Sequence, residues 1–162
     1  MTITITQGDS IHHPHHGIGT VQSIRKRSFS GPTGRKFAKL FFPREEMVMM
    51  IGENELDEHI RKPIQKSEAK KVLEHISDWS ESESDQWKTR ANAQQVKLDD
   101  GDPIGIAEVY KTLSLRMADD KLSAADRRQL SQAEERLVEE LSMAVGQSAG
   151  KISKRLEKAA GV

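Results

Sequence analysis

RKPIQKSEAKKVLEHI, residues 61–76, is where the chain changes its hydrophobic period. Before Arg61 the apolar residues come in short runs broken by glycine and proline. After it, Ala69, Val72, Leu73 and Ile76 fall at the three- and four-residue spacing of one helix face. Ser67 reads as the cap of that helix. A β part followed by an α part makes the fold class α+β. The boundary divides the chain into two domains, 1–62 and 63–162.

Composition agrees with a divided chain. Of 162 residues, 35% are hydrophobic and 31% charged, which suits two modest cores better than one thick one. No run of eighteen apolar residues occurs, so no membrane span is expected. The start, MTITITQGDS, lacks the basic and apolar parts of a signal peptide, and a cytoplasmic protein is expected. The absence of cysteine excludes disulfides, thiolate zinc sites and cysteine nucleophiles.

The formal net charge is zero, so no global field draws the chain to nucleic acid. Charge is nevertheless local. Arg25, Lys26, Arg27, Arg35, Lys36, Lys39 and Arg44 form a run without an acid, whereas Glu74, Asp78, Glu81, Glu83 and Asp85 form one without lysine or arginine. A basic strip of this kind fits phosphate or an acidic protein surface.

Upstream of the switch, Ile18, Val21 and Ile24 mark a strand, Lys36–Phe42 a second and Met47–Ile51 a third. Ser30–Gly34 is dense in turn formers, and Pro43 closes the second strand. Short strands with tight turns predict a small barrel or strongly bent sheet. The stretch HHPHHGIGTV, residues 12–21, raises a metal site as a question. Zinc needs two or three imidazoles converging with a carboxylate or water. His12, His13, His15 and His16 are adjacent in pairs, and strand neighbours point to opposite faces. No HExxH helix or cysteine pair completes a site, so the stretch reads as strand, proline turn and glycine-assisted strand start.

Downstream, Ser80–Ser84 reads as a polar joint and Asp85–Leu98 as a helix. Asp102-Pro103 pairs an N-cap carboxylate with proline at the first helical position. Ile106, Val109, Tyr110, Leu113 and Met117 then give one apolar face. Ser123 and Asp126 have capping-box spacing before Leu130, Ala133, Leu137, Leu141 and Ala144, and Gly146 ends that helix. A last basic helix is expected over Ser148–Ala160, on Ile152, Leu156 and Ala159.

No G-x-S-x-G elbow or glycine-rich phosphate cradle occurs, and Gly17-Ile-Gly19 reads as turn chemistry. The expectation is a protein that is not an enzyme and needs no cofactor or metal. Trp79 should pack at the end of the first helix. Trp87, beside Lys88 and Arg90, has two readings: a core anchor, or an exposed ring that stacks on a base or wedges into a minor groove.

The arrangement resembles the CarD/CdnL family of bacterial RNA-polymerase-binding transcription factors. Three places carry the resemblance: Gly8-Asp9 with Pro14-His-His-Gly17-Ile-Gly19-Thr-Val21; Trp87 with Arg90 and then Lys97-Leu98; and Ile106-Ala-Glu-Val109 followed by Leu122-Ser-Ala124 and Leu130 to Ala144. The resemblance implies an amino-terminal Tudor-like barrel that binds the β subunit of RNA polymerase. It implies a helical domain that meets promoter DNA at the upstream edge of the bubble and stabilises the open complex. Trp87 stands at the family's wedging tryptophan, and Lys88, Arg90 and Lys97 would hold phosphate without reading sequence. Arg27 matches a polymerase-contacting arginine, and Met50 stands where the second is usual. Lys36, Lys39 and Arg44 are candidates for the charge missing there. Thr89 and Asn92 stand where relatives can carry Arg or Lys. The Met47–Ile51 edge suits strand addition.

The leading expectation is therefore a monomeric, nucleoid-associated regulator with two partners, the polymerase β subunit and promoter DNA bound weakly, and no membrane partner. The rival is a protein-interaction adaptor of polymerase that never touches DNA, because Glu134, Glu135, Glu139 and Glu140 would repel phosphate. A histidine-dependent metalloprotein is a third and weaker reading.

Overall fold

The computed structural model describes residues 3–27, 35–80 and 87–162, and the side chains at 27 and 87–89 fall outside that description. The turn expected at Ser30–Gly34 and most of the joint at Ser80–Ser84 also lie outside it. The chain divides into two compact units, Met1–Pro63 and Ile64–Val162.

Four strands make up the first unit: β1 (Ser10–His13), β2 (Gly17–Arg27), β3 (Arg35–Phe42) and β4 (Met47–Gly52). They pair antiparallel in the order β1-β2-β3-β4. β3 alternates so that Ala38, Leu40 and Phe42 are buried, the period expected of a sheet with one covered face. Those side chains meet Ile5, Ile11, Val21, Ile51, Leu56 and Ile60 in one core. Pro14–His16 turn the chain from β1 into β2, and Gly17 takes φ of 75°, a left-handed conformation open to glycine at no steric cost. The register slips between Val21 and Ser23, a bulge that bends and twists β2.

After β4 a 3-10 turn, Glu53–Glu55, leads into α1 (Leu56–His59). The chain then returns to β1, where His12 N–H donates to Arg61 O at 2.8 Å and Arg61 N–H to His12 O at 3.0 Å. The outer edge of β1 is thus taken by Arg61 and not by β4. Among the described residues no ladder joins β4 to β1, so the sheet is an open meander where the sequence suggested a barrel.

The second unit contains α2 (Lys66–Asp78), α3 (Trp87–Asp100), α4 (Pro103–Ala118), α5 (Ala124–Val145) and α6 (Ala149–Ala160). Its core joins Val72, Ile76, Leu98, Ile106, Leu113, Leu137, Leu141, Ile152 and Leu156. α4 starts as its sequence predicts: Asp102 accepts from Ile104 N–H at 2.9 Å and Pro103 takes the first position. α5 closes the expected box, with Ser123 Oγ accepting from Asp126 N–H and Asp126 Oδ2 from Ser123 N–H, both at 3.1 Å. The cap of α2 corrects the sequence reading. Gln65, not Ser67, precedes the helix, and its N–H donates to Glu68 Oε1 at 3.3 Å. Ser67 lies inside the first turn and is exposed. Within the described residues α3 runs from Trp87 to Asp100, ending two residues beyond the expected Leu98; the expected start at Asp85 lies outside them.

Candidate functional site

In the first unit the candidate surface is the sheet face turned away from the core. The β3–β4 register sets Lys39 opposite Met50 and Phe41 opposite Val48, and the β2–β3 register sets Arg25 opposite Phe37. Burying Ala38, Leu40 and Phe42 necessarily turns Phe37, Lys39 and Phe41 the other way. Val48 and Met50 are 49% and 39% exposed. The result is an apolar strip with the half-buried Lys39 between its members. Beyond β4 no further strand pairs among the described residues, so its backbone edge is open. Met50 and Lys39, assigned separately from sequence, are brought together as a cross-strand pair. The Arg27 side chain lies outside the described residues, while its backbone pairs with Arg35 at the far end of β2.

Arg44 is not part of that strip. Its Nη2 donates to His15 O at 3.1 Å, fastening the turn after β1 to the turn after β3. His16 Nδ1 makes a parallel contact of 2.8 Å to Glu45 Oε2. The His13 ring lies 4.5 Å from that of His16 and 5.8 Å, edge-on, from Phe42. Burial, followed by His16, His15 and His59, lowers the His13 pKa from 6.5 to about 4, against the smaller pull of Glu45. Among the described residues no three His, Cys, Asp or Glu side chains converge to hold a metal ion.

In the second unit the sequence singled out Trp87, Lys88, Arg90 and Lys97, all on α3. Trp87 and Lys88 form its first turn, and their side chains lie outside the described residues. Arg90 is turned inward. Its Nη2 meets Asp126 Oδ2 at 3.1 Å, and the two side chains are only 10% and 1% exposed. The guanidinium is thus engaged inside the protein and is not offered to phosphate. Burial alone would raise the Asp126 pKa. Hydrogen bonds from Ser123 and the charge of Arg90 together outweigh it and hold the carboxyl below its ordinary range.

Lys97 is partly engaged too. Its Nζ lies 5.1 Å from the Trp79 ring centroid and 3.7 Å from Glu108 Oε1. His75 Nε2 approaches the other Glu108 oxygen at 3.7 Å. Trp79, half-buried at the C-cap of α2, therefore supports a cation from α3.

Sequence reasoning missed the partners on α5. Gln94 Nε2 donates to Gln129 Oε1 at 2.7 Å, and Gln129 Nε2 donates to Ala91 O at 3.0 Å. A signal was present: Arg90, Gln94 and Leu98 repeat every four residues, a buried stripe written mostly in polar side chains. A search for apolar periodicity passes over such a stripe.

Two family models match the chain in sequence. One, described as the CarD-like/TRCF RID domain, covers residues 5–64. The other, described as the CarD C-terminal domain, covers residues 71–157. The chain is also 28% identical over 142 residues to a Bacillus subtilis (strain 168) protein named "Putative transcription factor YdeB", a match spanning 86% of this chain and 91% of that one. The sheet unit carries one model and the helical unit the other, in the order their names imply, and the chain belongs to the CarD-like family.

Proposed function

We propose that the chain is a transcription factor, without catalytic activity, that docks on RNA polymerase through its sheet unit and stabilises the promoter open complex through its helical unit. The observation that carries this reading is the succession of the two family matches, residues 5–64 and then 71–157. The sheet unit is read as a Tudor-like module that meets the β subunit. Its strip of Val48, Met50 and Lys39 and the open edge of β4 support this, since an open edge can accept a strand through main-chain hydrogen bonds while the strip supplies selectivity. Arg27, at the end of β2, is the further cation of that contact. Arg44 serves it indirectly, by holding the adjoining turns.

Trp87 is read as the wedge at the upstream edge of the bubble, with Lys88 beside it and Lys97 farther along α3. A neutral chain suits this task, because tethering to polymerase raises the local DNA concentration and little intrinsic affinity is needed. The same reading makes the protein a cytoplasmic, nucleoid-associated monomer. Among the described residues no helix is long and apolar enough to cross a membrane.

The inward placement of Arg90 and the engagement of Lys97 favour a second reading, a polymerase adaptor without DNA contact. One experiment separates the two. Polymerase captured by the full-length chain should include the β subunit, and Lys39→Glu should weaken capture. Trp87→Ala should leave capture intact and shorten the open-complex lifetime in competitor challenge. An unchanged lifetime would leave the adaptor reading standing, and no capture at all would remove both.

A further inference from the structure

α3 is attached to the helical unit in two different ways along its length. Its last turns are held by the fully buried Leu98 side chain, whose residue also accepts at its carbonyl from Arg136 Nη1 at 2.7 Å. Its first turns bury no large apolar side chain among the described residues. They are held by the Arg90–Asp126 contact of 3.1 Å, the Gln94–Gln129 bond of 2.7 Å and the Gln129–Ala91 bond of 3.0 Å.

The difference matters physically. Apolar packing tolerates small rotations and slides of a helix, whereas a guanidinium on a carboxylate and an amide on an amide specify both. Asp126 is itself fixed, because the Ser123 box makes it part of the first turn of α5. The contact is made through one nitrogen and one oxygen: Arg90 Nε and Asp126 Oδ1 are buried without a hydrogen bond among the described residues. The bonds that Asp126 does make outweigh the burial of its charge, and they hold only when the Arg90 guanidinium faces it, so the pair fixes direction.

We infer that Arg90 and Asp126 are positioning residues, which fix the rotation and tilt of the first two turns of α3 and so the presentation of Trp87, one helical turn before Arg90. Gln94 and Gln129 give the second point that a rotation needs. This inference rests on the promoter reading of Trp87 for its functional half; its structural half does not.

The test uses the full-length chain with Asp126→Asn, which keeps an acceptor for Ser123 N–H but removes the charge, and with Arg90→Met. Amide exchange should rise by roughly ten- to a hundredfold over residues 91–95 in both variants, while residues 96–100 and α4 to α6 keep their protection. With polymerase and promoter, both variants should shorten the open-complex lifetime towards that of Trp87→Ala. Asp126→Asn combined with Trp87→Ala should be no worse than Trp87→Ala alone. Unchanged exchange at 91–95, or loss spread evenly over the helical unit, overturns the inference. So does loosened exchange with a parental lifetime when Trp87→Ala itself is defective. If Trp87→Ala is without effect, the wedge reading fails, and selective loosening of 91–95 upholds the latch alone.

Discussion

Gly19 lies opposite Ile11 in the β1–β2 ladder, where a side chain has nowhere to go. A Cβ added there would stand 2.7 Å from two ring carbons of Phe42 and 2.9 Å from Ile11 Cδ1, and both neighbours are fully buried. Gly19→Ala should therefore destabilise the sheet unit by about 1–3 kcal/mol, measured by chemical denaturation. Parental stability would mean that Phe42 can move aside. Reading Gly17-Ile-Gly19 as turn chemistry captured one glycine of the two. Gly17 has the positive φ, whereas Gly19 is needed for a contact with a residue twenty-three positions away, which no local pattern reveals. His13 makes a second test at this scale. Its pKa is about 4 in the folded protein against 6.5 ordinarily, so the unfolded chain takes up the proton first as pH falls. The stability contribution is complete above 6.5 and is lost progressively from there towards about 4. The denaturation midpoint of the sheet unit should fall between about pH 7.5 and about pH 5, and His13→Gln should flatten that dependence. An equal slope in the variant would assign it to other groups.

Elements differ in how openly their sequences declare them. α4, α5 and α6 combine an apolar stripe with a side-chain cap, and both signals are local, so they were legible. α2 was legible as a helix but not at its first residue, because Ser67 has the better capping chemistry and Gln65 has Glu68 three residues beyond it. α3 was found as a helix but its attachment was not. Its inward stripe is Arg90, Gln94 and Leu98, and the partners that make it an inside face lie some thirty-five residues on. β2 was found by its β-branched residues, and β3 and β4 by apolar runs that end at Pro43 and Gly52. Closure of the sheet was not legible, since whether β4 or Arg61 takes the edge of β1 depends on chain path and not on strand content. The candidate surface was partly legible for the same reason: Lys39 and Met50 could be named, but only the register makes them neighbours.

For the molecule as a whole, the two hydrophobic clusters share no residue: one is built from Ile5 to Ile60 and the other from Ile64 to Ala160. Each unit should therefore unfold as its own cooperative step. Leu137, buried in the helical core, provides the check. Leu137→Ala should weaken the helical unit by about 2–5 kcal/mol and leave the sheet transition in place, with Gly19→Ala doing the reverse. A single joint transition, displaced equally by both variants, would show that the units stabilise one another.

Separate cores also bear on ancestry. A segment that buries its own apolar residues can be cut out of one gene and spliced beside another without leaving an exposed hydrocarbon face behind. The sheet unit meets that condition, and the model matching residues 5–64 bears a description that joins CarD-like proteins with TRCF. A core of its own, nine buried side chains among the described residues, is what such a module needs to be inherited as a unit while its companion changes.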